Sequence, residues 1–176
     1  FTNCYAFSNV PALGGGTVRP EFEVLTGLTT DYLPSGSVPY QYLDRPTESY
    51  VSIYKEMGYN TYGVHPYIPA FYSRKSGYPL IGIDHLNFEE DFYNLYHQSD
   101  WQIYTSGGYI SDYSFEEYLE SVLESNEQST DAPAFLMGIS MEAHQPYENK
   151  YKQSDLKVIA ENDSLDEATL GAFRNY

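Results

Sequence analysis

The stretch AFLMGISM, Ala134 to Met141, constrains the fold most. It is a near-continuous apolar run of strand length, without the polar alternation of a strand wetted on one side. Such runs suit strands buried on both faces of a parallel sheet whose crossovers are helices. Other segments agree. YNTYGVHPY reads as a strand ending at His65, and it follows a segment from Thr47 to Met57 in which Tyr50, Val51, Tyr54 and Met57 recur at helical spacing and Gly58 is the stop. A helix is predicted from Val18 to about Leu25, with Pro20 near its start, where a missing N–H costs little. Another is predicted from Ser114 to Leu123, with Ser114 and Glu117 as a capping box and Phe115, Tyr118, Leu119 and Val122 along one face. Residues 29–45 read as a loop, AFYSRKSGY as a short helix or turn, and SNEQSTDAP as a polar loop. Residues 1–8 read as a strand or extended arm, and a last helix starts near Ser164. Helices alternating with buried strands define an α/β fold, a layered sandwich on a mainly parallel sheet.

Charge narrows the partners. The chain of 176 residues has 25 acidic against 9 basic residues, a formal net charge of −16. This balance argues against a nucleic-acid partner, because phosphate contact needs a basic face, and leaves room for a local cationic pocket. The 20 tyrosines give rigid, amphipathic contact area that suits a glycan-facing surface and equally an ordinary core edge. Cys4 is the one cysteine, so no internal disulfide forms. No run of roughly 18 apolar residues is present to make a membrane span. The abrupt opening FTNCYAFSNV reads like the middle of something longer.

Three stretches carry chemistry. In LGGGTVRPEFEVLTGL, Gly14 to Gly16 allow a sharp turn, and Thr17 then stands just ahead of a predicted helix. Its hydroxyl faces open backbone N–H groups and the positive end of the helix dipole. Thr17 is therefore either a simple cap or a nucleophile that needs activation. In GVHPYIPAFYSRKSGYPLIGID, His65 lies at a predicted strand end, where α/β proteins place their ligands. Arg74 fits a bidentate anion grip, with Tyr72 close enough to stack on a sugar or glycerol; a surface arginine and a packing tyrosine are the plainer alternative. In GISMEAHQPYENKY, His144 again follows a buried strand, as a structural histidine or one that touches a ligand.

GGGTVRPEFEVLTGL, GYNTYGVHPYIPAFYSRKSGYPLIGID and ISMEAHQPY resemble, in that order, the bacterial phosphoglycerol transferases. These form the lipoteichoic acid synthase-like branch of the sulfatase and alkaline phosphatase superfamily. The resemblance runs from about Leu13 to the C-terminus and implies a three-layer alkaline phosphatase/sulfatase-like sandwich. It implies that Thr17 is the nucleophile and also a ligand of a divalent metal, Mn2+ or Mg2+. It implies that Tyr72 and Arg74 hold the glycerophosphate, Tyr72 standing where the closest synthases often have tryptophan. His144 matches the family's Asn-His-x-Pro histidine, with Ala143 in place of the asparagine, and His65 matches the histidine of the strand before the arginine turn.

The same resemblance implies a metal site with an acidic ligand well upstream of the threonine and an Asp-His pair well downstream of His144. Asp84 and His85 lie instead in a segment resembling the family's Gly-x-Asp-x-Phe. The expectation is thus a single catalytic domain truncated at both ends, which alone neither retains the metal nor turns over. The parent is expected in the cell membrane with this domain on the extracellular side, acting on the phosphatidylglycerol head group and a glycerophosphate polymer. A sulfatase or phosphoethanolamine transferase of the same superfamily is the nearest alternative. A non-catalytic, tyrosine-rich surface-binding module is the alternative from another class.

Overall fold

Three strands form a mainly parallel sheet in a computed structural model that describes residues 16–147 together with 150, 166 and 169. Their order is β2 (His85–Phe88), β1 (Asn60–His65), β5 (Ala134–Gly138), which puts β1 in the middle of the three. A two-stranded antiparallel hairpin joins β3 (Thr105–Ser106) to β4 (Tyr109–Ile110), pairing Thr105 with Ile110 and Ser106 with Tyr109. Among the described residues, the α-helices whose bounds are defined are α1 (Val18–Thr26), α2 (Tyr50–Glu56), α3 (Arg74–Gly77), α4 (Glu89–Gln98) and α5 (Asp112–Ser129). The expected α/β class with a mainly parallel sheet is what the chain adopts. The predicted arm at residues 1–8, Cys4, Gly14, Gly15 and the start of the helix near Ser164 lie outside the described residues. Among the described residues no helix is long and apolar enough to cross a membrane.

The chain divides into two compact units. The first comprises residues 1–63, 69–86 and 132–135. Here α1 buries Val18, Glu21, Phe22 and Leu25, the 3–4 spacing of one helix face, and Gly27 closes it in the left-handed region with its N–H on the Glu23 carbonyl. Phe22, Tyr40 and Tyr78 meet edge to face, at 5.4 Å and 5.5 Å between ring centroids. The backbone of Gly77 passes so close to Tyr40 that an added Cβ would stand 2.5 Å from its Cβ. The helix predicted from Thr47 starts later. Ser49 is its cap, its Oγ accepting from the Ser52 N–H while Ser52 Oγ accepts from the Ser49 N–H. Only Val51 of the predicted apolar face is buried; Tyr50 and Met57 are exposed.

Past the end of α1, the Glu23 carboxylate accepts from both the N–H and the hydroxyl of Thr30, each at 2.6 Å. The Thr30 side-chain hydrogen bond, then its N–H, hold the Glu23 carboxyl below its usual pKa. A depressed carboxylate stabilises the fold above its unfolded-state pKa, and that share is lost as pH falls through the folded value. Thr30→Val is therefore expected to lower the thermal midpoint near neutral pH and to narrow that gap on acidification below the ordinary carboxylate range, read by scanning calorimetry across pH.

The second unit comprises residues 64–68, 87–131 and 136–176. Its core is Val64, Phe92, Ile110, Phe115 and Tyr118, with Leu119, Val122 and Leu136 packed against it. This confirms the predicted face of the long helix but corrects its ends. Ser111, not Ser114, is the cap, accepting from the Ser114 N–H, while Ser114 Oγ accepts from the Tyr104 N–H and Glu117 from the Trp101 indole N–H. The helix also runs through SNEQS, predicted as loop, because polar residues suit a helix turn as well as a loop; Asn126 of this stretch is buried and the rest face solvent. Strand β5 is shorter than the predicted Ala134–Met141 and only partly buried; it flanks β1 at one margin of the three described strands. Helix α4 was not anticipated, since Phe92 alone is buried in an otherwise acidic and polar segment.

Candidate functional site

Gly16 adopts φ +80°, a left-handed turn that delivers the chain into α1. Thr17 occupies the position just ahead of that helix, as the sequence predicts, and it is exposed. Its side chain makes no cap hydrogen bond, so the capping alternative does not describe it. An exposed hydroxyl thus stands at the positive end of a nine-residue helix, where the dipole favours a nearby anion by about 0.3–2 kcal/mol.

One helical turn further, Glu21 points inward. Its carboxylate accepts from Tyr40 Oη (3.0 Å), Tyr78 Oη (2.8 Å), Arg74 Nη2 (2.7 Å) and Arg74 Nε (3.2 Å). Glu21 is 6% exposed and Arg74 1%. Burial alone would lower the pKa of Arg74, but the hydrogen bonds and charge of Glu21 outweigh that and raise it. Burial, reinforced by the Glu21 charge, pushes both tyrosine hydroxyls far above their usual range, so they stay neutral donors. Arg74 is enclosed, and Glu21 occupies its Nε and Nη2. The sequence reading missed Glu21, although an acidic residue between Val18, Phe22 and Leu25 on one helix face signals a buried carboxylate.

Arg74 in turn anchors the residues before it. Tyr72 (φ 55°) and Ser73 (φ 57°) are consecutive left-handed residues, neither of them glycine. Each such residue costs on the order of 1–3 kcal/mol and persists only where its surroundings over-determine it. Here the Ser73 N–H donates to the Ala70 carbonyl, Gln41 Nε2 donates to Ser73 Oγ, and the Arg74 guanidinium lies 5.3 Å from the Tyr72 ring centroid. The Tyr72 hydroxyl ends beside Gly16, 3.7 Å from where a Cβ there would stand. Thr17, Tyr72 and Arg74, far apart in sequence, are thereby assembled in the first unit. Ser73→Val is expected to destabilise the protein by about 1–3 kcal/mol, because a β-branched residue resists this backbone, while Ser73→Asn is near neutral. Denaturant unfolding of the two variants checks this.

The two predicted histidines come together in the second unit. His65 ends β1, 1% exposed, with Nδ1 2.9 Å from the Ile139 carbonyl. His144 has Nδ1 2.8 Å from the Gln145 carbonyl. A carbonyl only accepts, so in both rings Nδ1 carries the hydrogen and Nε2 is the acceptor of the neutral form. Tyr67 and Tyr109 link them in a chain of ring contacts, His65–Tyr67 at 6.2 Å, Tyr67–Tyr109 at 6.0 Å and Tyr109–His144 at 5.8 Å.

Asp84 and His85 do not act as a pair. Asp84 binds Lys55 Nζ at 2.6 Å, while the His85 ring stacks on Tyr62 at 4.7 Å. Among the described residues no group of three or more His, Cys, Asp or Glu is placed to hold a metal. Thr17 Oγ1 is a single oxygen donor, and a hard divalent ion needs several. The described residues by themselves therefore do not fit a divalent-metal site.

The chain belongs to the sulfatase family, whose model matches residues 2–169. Its fold is that of the alkaline phosphatase/sulfatase superfamily, shared with solved phosphoglycerol transferase structures. GacH of Streptococcus pyogenes, a phosphoglycerol transferase solved with sn-glycerol-1-phosphate, matches with a TM-score of 0.68 at 23% identity, over 93% of this chain and 40% of that one. The lipoteichoic acid synthase LtaP of Listeria monocytogenes matches with a TM-score of 0.66 at 20% identity, over 90% of this chain and 36% of that one. In sequence, the chain is 30% identical over 165 residues to a Rhizobium meliloti (strain 1021) protein named for cyclic beta-1,2-glucan modification, covering 93% of this chain and 24% of that protein. It is 29% identical over 140 residues to the capsular polysaccharide biosynthesis protein RkpI of the same organism, covering 77% of this chain and 24% of that one. The chain spans about a quarter of the length of these curated relatives.

Proposed function

We propose that the protein carrying this chain transfers glycerophosphate from phosphatidylglycerol to an acceptor hydroxyl of the cell envelope, through a covalent intermediate on Thr17. The observation that carries this reading is the Thr17 hydroxyl, exposed, uncapped and at the positive end of α1 beside the Tyr72 hydroxyl. Thr17 Oγ attacks phosphorus, the P–O bond to diacylglycerol breaks, and the leaving oxygen takes up a proton. The acceptor hydroxyl then attacks the same phosphorus, releases Thr17 and gives up its own proton, a two-step exchange with ping-pong kinetics. Tyr72 offers a ring and a hydroxyl to the glycerol part. His144 and His65 are proposed to serve a substrate oxygen or a proton in transit; their Nδ1 atoms face the Gln145 and Ile139 carbonyls. Arg74 acts from within, by fixing the turn that carries Tyr72.

Mn2+ or Mg2+ is the cofactor proposed for the longer protein, its further ligands lying beyond the described residues. The catalytic domain is proposed to work on the outer side of the cell membrane, held there by other parts of the protein. A second reading concerns the acceptor. The relatives named for a cyclic glucan and a capsular polysaccharide favour a saccharide hydroxyl over a glycerol one.

The test is diacylglycerol release from labelled phosphatidylglycerol by the intact protein with added manganese, offering a glycerophosphate oligomer and a β-glucan as acceptors. Release with label passing to either acceptor supports transfer and tells the two apart. Hydrolysis of a sulfate ester, or transfer only from phosphatidylethanolamine, overturns the donor assignment in favour of the superfamily alternatives. No turnover of any of these by a metal-loaded protein favours the binding module.

A further inference from the structure

We propose that Lys150 and Tyr109 are positioning residues for His144, holding the His144–Gln145 backbone from two sides so that the imidazole keeps one tautomer and one direction. The inference rests on the reading of His144 as a substrate contact and adds the machinery behind it.

Lys150 is the nearer support. It is 8% exposed, and its Nζ donates to the His144 carbonyl at 2.5 Å. The ammonium also stands over the Tyr109 ring at 5.5 Å and the Tyr147 ring at 5.7 Å. Burial lowers the pKa of this lysine against the opposing charges of Glu142 and Asp112, and the ammonium meets a carbonyl and two ring faces in place of water. A buried lysine that donates to a backbone carbonyl fixes the position of that peptide.

Tyr109 is the second support. Its hydroxyl donates to the Gln145 carbonyl at 2.9 Å, the oxygen that also faces His144 Nδ1 at 2.8 Å. A carbonyl has two lone pairs and serves both donors. The Tyr109 ring meets the His144 ring edge to face at 5.8 Å and 67°. The imidazole is thus held through the oxygen that sets its tautomer and through one side of its plane.

The hairpin supplies the wall. Gly107 and Gly108, with φ of 57° and 84°, make the two-residue tip that joins β3 to β4 and places Tyr109. A Cβ at Gly107 would fall against Cγ of Lys150 and 2.7 Å from its Cε. Glycine there makes room for the lysine stem, so the hairpin tip, Lys150 and His144 form one assembly.

The experiment uses the intact protein with isotopically labelled histidine, His144 being assigned by the signal lost in His144→Gln. The expected result is that Lys150→Met and Gly107→Ala shift the His144 ring nitrogen signals in the same direction, and that the double variant moves them no further than either single one. Lys150→Arg, which keeps a cationic donor, is expected to restore most of the wild-type signal. In the transfer assay, Lys150→Met should raise KM for phosphatidylglycerol about tenfold with a smaller change in kcat. Folded variants with unchanged His144 signals overturn the proposal, and so does lost activity with unchanged signals, since Lys150 would then act on the ligand itself. The nitrogen signals decide the matter even if phosphatidylglycerol is not the donor, so failure of the functional reading is distinguishable. Tyr109→Phe keeps the ring and removes the hydroxyl; it is expected to move the same signals by a smaller amount and stands in if Lys150→Met does not fold.

Discussion

Replacing Thr17 with alanine in the intact protein is expected to remove transfer activity almost entirely, on the order of 10^4-fold or more in kcat, while the fold survives. The size follows from covalent catalysis, where loss of the nucleophile itself leaves only binding and electrostatics. Survival of the fold follows from geometry, because the hydroxyl caps nothing and faces solvent. Diacylglycerol release, with intact-mass detection of a glycerophosphoryl adduct on the wild type and its absence from the variant, checks both halves. Undiminished activity would take the nucleophile away from Thr17. The described residues contain no set of donors that could complete a divalent-ion site around this hydroxyl.

Glu21→Ala is expected to cost about 3–5 kcal/mol of stability, because removing one partner leaves a buried guanidinium without its counter-charge. Two tyrosine hydroxyls lose their acceptor at the same time. Replacing both charges, as Glu21→Gln with Arg74→Met, is expected to recover a large part of that loss, since a buried ion pair exchanged as a pair often costs little. Denaturant unfolding of the single and double variants gives the coupling. A loss below about 1 kcal/mol for the single variant would show that the enclosed network is not what holds the Arg74 turn. A second readout is KM. The Glu21 variant should bind donor more weakly even where it is folded, because the strained backbone at Tyr72 and Ser73 loses its anchor.

Local features were legible in the sequence. The 3.6-residue recurrence of Val18, Phe22 and Leu25, and of Phe115, Tyr118 and Val122, is a property of a few neighbouring residues and gave both helices. The left-handed Gly16 before Thr17 and the strand ending at His65 belong to the same kind. Ends of elements were less legible. Ser111 and Ser114 are equally good caps on paper, and only the tertiary hydrogen bond from the Tyr104 N–H to Ser114 Oγ decides between them. The site was legible in its members and not in its wiring. That Arg74 turns inward depends on Glu21, Tyr40 and Tyr78 converging on it from distant positions, and no spacing rule encodes such a meeting. Lys150 carries no sequence signal of its contact with the His144 carbonyl, which depends on the Gly107–Gly108 hairpin tip meeting it in the fold.

The left-handed backbone at Tyr72 and Ser73 also sets which mutational paths are open to a descendant of this protein. Ring chemistry at Tyr72 can drift at little cost, because phenylalanine, tryptophan or histidine meets the same backbone demand. Valine, isoleucine and threonine are disfavoured at both positions unless the turn itself is rebuilt. Selection for altered binding can therefore explore flat, unbranched side chains one substitution at a time, whereas a small aliphatic pocket is reached only through destabilised intermediates. A library for altered donor preference should accordingly hold Ser73 to serine, asparagine or glycine, and spend its diversity on the ring.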